Sequence, residues 1–82
     1  MKPLERIFFK SCLMKGKRSV RDICEIYADM GFPVKILIGY IKKWCRMGFY
    51  DCGVTLDLGW FYIDELPPEY AKMREEVQGY VR

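Results

Sequence analysis

The chain has 82 residues, 51% of them hydrophobic, with 14 Lys or Arg against 11 Asp or Glu and no histidine, for a net charge of +3. That length supports one small hydrophobic core and is too short for two domains or an elaborate catalytic cleft. Charges interrupt every apolar run after a few positions, so the composition predicts neither a membrane span nor a secretory leader and points to the cytoplasm.

In chain order, Leu4 to Lys15 is expected as a first helix. Leu4, Ile7, Phe8 and Cys12 or Ser11 recur at spacings of three and four, and Gly16 follows as a stop. Phe9 and Leu13 form a second apolar stripe on another side, which needs a second element to bury it. Ser19-Val20-Arg21-Asp22 has the spacing of a capping box, with Asp where Glu is preferred, and predicts a helix start. Val20, Ile23, Cys24, Tyr27 and Met30 carry that helix to Gly31. Gly31-Phe32-Pro33 then makes a tight connection, because Pro33 suits the first turn of a following helix.

The third helix is expected from Pro33 to about Met47, closed by Gly48. Counting 100° per residue from Val34, Leu37, Ile41 and Trp44 fall between roughly 280° and 340°, while Lys42, Lys35, Gly39, Arg46 and Lys43 span roughly 80° to 180°. No carboxylate interrupts the basic side. Beyond it, Phe49 to Val54 and Trp60 to Asp64 are rich in aromatic and β-branched residues, with turn-forming Asp57 and Gly59 between them, and predict a hairpin. Leu66-Pro67-Pro68 stops the second strand. Glu69 to Val81 returns to helical spacing with Tyr70, Met73, Val77 and Tyr80; this helix either folds back on Phe9 and Leu13 or pairs with a second copy.

Charge is divided along the chain: through Tyr50 eleven Lys or Arg face four carboxylates, and from Asp51 onward three face seven. Such asymmetry suggests one part that meets nucleic acid and another that faces away or meets a different partner. Cys12, Cys24, Cys45 and Cys52 are scattered one to an element, without a C-x-x-C pair or a histidine, a spacing that favours buried reduced thiols over a disulfide or a metal site. No cofactor is expected. Without a histidine base, a Gly-rich phosphate loop or a nucleophile motif, and with Asp64-Glu65 best read as solvated surface, the chain is expected to bind rather than catalyse.

The order helix, helix, turn, helix, hairpin is carried by Ser19-Val20-Arg21-Asp22-Ile23, the turn Met30-Gly31-Phe32-Pro33, the trio Leu37, Ile41 and Trp44, and the exit Arg46-Met47-Gly48-Phe49-Tyr50. This order resembles the winged helix-turn-helix family, in the longer-second-helix form of penicillinase-repressor-like proteins. The expected fold class is therefore α+β, mostly helical: a three-helix core with a two-stranded wing over residues 1–66, and a C-terminal helix over 67–82 that packs on the core or forms a dimer contact.

The resemblance implies that the third helix enters a major groove, with Lys35, Gly39 and Lys42 near bases and Lys43 and Arg46 nearer the backbone. Lys17, Arg18 and Arg21, around the start of the second helix, would add phosphate contacts. The N-terminal part of that exposed side offers no Asn, Gln, Ser, Thr or Arg, so the expectation is sequence-tolerant binding of double-stranded DNA by a transcriptional regulator or mobile-element accessory factor. From Met47 through Ala71 there are five carboxylates and no Lys or Arg. An acidic wing is repelled by phosphate and supports the alternative of a protein-interaction module or homodimer using Trp60, Tyr62, Tyr70, Met73, Val77 and Tyr80. For Trp60 and Tyr62, cover by the terminal helix or the hairpin's twist, a partner surface and base stacking all stay open.

Overall fold

Two adjacent phenylalanines set the orientation of the first helix. In the computed structural model, which describes residues 1–78, α1 (Pro3–Leu13) buries Glu5, Phe8, Phe9 and Cys12 as one i, i+3, i+4, i+7 face. Phe8 stacks on Trp44 with ring centroids 5.6 Å apart and meets Tyr27 edge-on at 5.3 Å. Phe9 meets Trp44 at 5.2 Å and Tyr70 at 5.0 Å. Ile7, expected on the core face, is exposed instead, because turning α1 to bury both rings carries Ile7 to the far side.

α2 (Val20–Asp29) opens with the capping box: Ser19 Oγ accepts the Asp22 N–H at 3.2 Å, and the Asp22 carboxylate accepts the Ser19 N–H at 2.9 Å. A cap of this kind contributes about 1 kcal/mol. Met30 falls in the turn past the helix end and is exposed rather than core. Gly31, at φ 98°, supplies the left-handed step that turns the chain into α3 (Val34–Arg46). Leu37, Ile41 and Trp44 of α3 are completely buried.

The hairpin is shorter than its aromatic composition predicts. β1 (Tyr50–Asp51) and β2 (Trp60–Phe61) pair antiparallel, Tyr50 opposite Phe61 and Asp51 opposite Trp60, where strands over 49–54 and 60–64 were expected. Tertiary ties account for the difference. The connection forms a 3-10 turn at Leu56–Leu58 that packs on α2 and α3. The Tyr50 hydroxyl donates to the Leu56 carbonyl at 2.9 Å and accepts the Gly59 N–H at 3.0 Å, and burial pushes this phenol up to about 12. At Gly59 the chain crosses so near Asp51 that an added Cβ would lie 1.7 Å from its carbonyl oxygen.

A second 3-10 turn, Ile63–Glu65, leads into α4 (Pro68–Gln78), which lies along α1. Tyr70, Met73 and Val77 are buried there among the molecule's own side chains, which corrects their expected role as a partner surface: the second stripe of α1, led by Phe9, is what they cover. Tyr80 lies outside the described residues. Lys10 closes the pair of helices with an ion pair to Glu76 at 2.5 Å. The described architecture is thus α+β and mostly helical, and none of its helices is long and apolar enough to cross a membrane.

Candidate nucleic-acid interface

Four residues of α3, Lys35, Gly39, Lys42 and Arg46, recur at spacings of four, three and four and are all exposed. That spacing keeps them in one line along the helix, about 16 Å from end to end at 1.5 Å per residue. Among the described residues, none of the three cations lies within ion-pair distance of a carboxylate. Between them, Gly39 leaves a gap in the side-chain cover; a Cβ added there meets nothing within 4 Å. Lys17 and Arg18, in the connection from α1 to α2, are also exposed and without an ion-pair partner among the described residues.

Lys43 belongs elsewhere. It sits at the edge of the basic sector nearest α1, and its Nζ reaches the carboxylate of Glu5 at 2.9 and 3.2 Å. Glu5 is only 2% exposed and accepts two more hydrogen bonds, from Trp44 Nε1 at 3.0 Å and from the Tyr70 hydroxyl at 2.5 Å. Burial alone would raise its pKa, but the bonds from Tyr70, Lys43 and Trp44 together hold it below the ordinary carboxylate value. Tyr70 is pushed up to about 12, first by burial and then by donating to that carboxylate. The Lys43 ammonium is raised by its bond to Glu5. The residue is therefore a tie between α1, α3 and α4, and its expected part in a free basic face is corrected.

Arg21 is likewise committed. Its Nε donates to Asp57 Oδ2 at 3.0 Å, and a terminal nitrogen donates to Asp57 Oδ1 at 3.2 Å and to Thr55 Oγ1 at 3.4 Å. This fork holds the hairpin tip down on α2, lowering the Asp57 pKa through the Arg21 hydrogen bond and raising that of Arg21 in return. Unlike Lys17 and Arg18, this expected phosphate contact is already paired within the molecule. The fork also draws the hairpin back toward the helices, so that it does not project as a separate finger.

At the hairpin, Trp60 and Tyr62 stay 52% and 40% exposed, so neither α4 nor the strand twist covers them. The Tyr62 hydroxyl donates to Asp51 Oδ2 at 2.6 Å, and this bond, with one from the Gly53 N–H, holds the Asp51 carboxyl below its usual range. Cys12 and Cys24 are buried free thiols; burial raises both pKa values, that of Cys24 to about 11, which keeps them protonated and unreactive at neutral pH. Among the described residues no three His, Cys, Asp or Glu side chains converge as metal ligands. Compared with protein-family models, curated proteins and solved structures, the chain matches none of them.

Proposed function

We propose that this protein is a small DNA-binding protein of winged helix-turn-helix type, acting in the cytoplasm as a transcriptional regulator or mobile-element accessory factor. It needs no cofactor and performs no catalysis. The observation that carries this reading is the exposed line Lys35, Gly39, Lys42, Arg46, without an ion-pair partner among the described residues, on the helix that follows a tight helix-helix turn. Lys17 and Arg18 add contacts from the α1–α2 connection. The helix order through α3 and the hairpin agrees with the winged-helix layout, while the tied-down acidic wing leaves α3 as the contacting element. Three cations, two of them flexible lysines, neutralise phosphates better than they read bases, so the preference among sequences is weak and the affinity is salt-dependent.

The test separates two neighbouring lysines. In fluorescence-anisotropy titrations of a labelled duplex at about 50 mM salt, where the electrostatic contribution is large, Lys42→Ala weakens binding severalfold. Lys43→Ala leaves duplex affinity close to that of the parent and lowers stability instead. Equal losses from both, or no binding by the parent, would overturn the proposal.

A further inference from the structure

The core is complete without Trp60. Phe61 turns inward to meet Phe9 at 5.4 Å, whereas Trp60 on β2 and Tyr62 just past its end are exposed. The indole lies over Gly53, where an added Cβ would stand 3.5 Å from Cζ3, and next to it Val54 is 96% exposed. Half-exposed aromatic rings beside an exposed valine form an apolar surface that the fold leaves uncovered. It is also firmly seated: the Arg21 fork on Asp57 and the two bonds of the Tyr50 hydroxyl hold the hairpin in shape, so docking on it orders little chain.

The charge around this surface selects the occupant. Asp64, Glu65 and Glu69 follow directly in the chain, are exposed and have no ion-pair partner among the described residues, and no Lys or Arg occurs from Met47 through Ala71. The guanidinium that the hairpin does hold, that of Arg21, is already paired with Asp57, and the unpaired carboxylates repel phosphate. We propose that this face docks an arginine-bearing segment of a protein partner, with a guanidinium stacked on Trp60 and held by the carboxylates of Asp64 or Glu65. Arginine fits because its planar cation stacks on indole and bonds a carboxylate at the same time. A second copy is the poorer fit: its basic α3 line meeting this acidic face is a head-to-tail contact, which closes on itself only if the rotation happens to do so. The two surfaces give the molecule a duplex side and a protein side.

The probe is a dye-labelled twelve-residue peptide alternating Arg and Leu, titrated by anisotropy into the whole protein without DNA, so the result does not depend on duplex binding. The expected outcome is saturable binding that weakens roughly tenfold in Trp60→Ala, as for a central aromatic contact, and severalfold in Asp64→Asn/Glu65→Gln, with duplex affinity kept in both variants. Trp60 lies outside the core, and far-ultraviolet circular dichroism checks that each variant is folded. Unchanged peptide affinity in Trp60→Ala overturns the proposal, as does equal binding of the same peptide with Glu in place of Arg. So does a pure protein that sediments as a dimer or larger and becomes monomeric in Trp60→Ala, which would assign the face to a second copy.

Discussion

Replacing Glu5 by Ala removes the acceptor shared by Lys43, Trp44 and Tyr70. Trp44 and Tyr70 are buried, so the indole N–H and the phenol O–H are left without a partner or water, at about 1–3 kcal/mol each. The Lys43 side chain is 41% exposed and turns to solvent, so its lost ion pair adds no more than about 1 kcal/mol. The expected destabilisation is about 2–7 kcal/mol, a large share of the total stability of a domain this size, which is of order 4–12 kcal/mol. Glu5→Gln keeps one acceptor oxygen for Trp44 and Tyr70 but loses the charge and turns an amide NH2 toward Lys43, whose side chain is free to move to solvent, and is expected to cost about 1–2 kcal/mol. Urea unfolding followed by circular dichroism at 222 nm measures both. A Glu5→Ala midpoint within the equivalent of about 0.5 kcal/mol of the parent's, the scatter of ordinary surface substitutions, would refute the argument that this carboxylate ties three helices together.

Acid should destabilise the fold through the same group. The folded pKa of Glu5 is held below the ordinary carboxylate value, so its contribution is present above the ordinary value and is lost as pH falls through the folded one; Glu5→Gln should flatten the acid limb of a stability-pH profile. At the alkaline end, Tyr50 and Tyr70, both raised to about 12 from an ordinary value near 10, favour the protonated fold. Their contribution is full below about 10 and is lost as pH rises toward 12, and Tyr70→Phe should blunt that loss in urea titrations across the range. Gly39→Ala fills open space on an exposed helix face and should raise stability by about 0.5–1 kcal/mol; a lower urea midpoint would show that the backbone there is not free. Arg21→Ala should release the hairpin tip, seen as faster amide hydrogen exchange at Thr55 to Leu58, with little change in duplex affinity because the guanidinium is already engaged.

Local signals in the sequence carried much of the helical frame. The Ser19–Asp22 box and Gly31 act within a few residues, so α2 and its turn could be read from spacing alone, and the apolar trio of α3 shows its buried face directly. What escaped was set by distant partners. Glu5 joins residues 38, 39 and 65 positions away, and nothing near it in sequence marks it as buried except that it shares a face with Phe8, Phe9 and Cys12. On a helical wheel Lys42 and Lys43 look equally free; only the neighbouring α1 tells them apart. Periodicity identified a sticky side of α4 but not what covers it, and composition suggested long strands because it is blind to the Arg21 fork and the Tyr50 hydroxyl, which fold the connection onto the helices.

The salt dependence of duplex binding tests the central claim most directly. If Lys35, Lys42 and Arg46 each neutralise one phosphate, replacing all three by Ala should reduce the magnitude of the slope of log K against log salt by about 2.7, at roughly 0.9 per contact. The variant should unfold at the parent's urea concentration, because the three side chains project into solvent. A slope identical in parent and triple variant, or a parent that binds no duplex even at about 50 mM salt, would contradict the account.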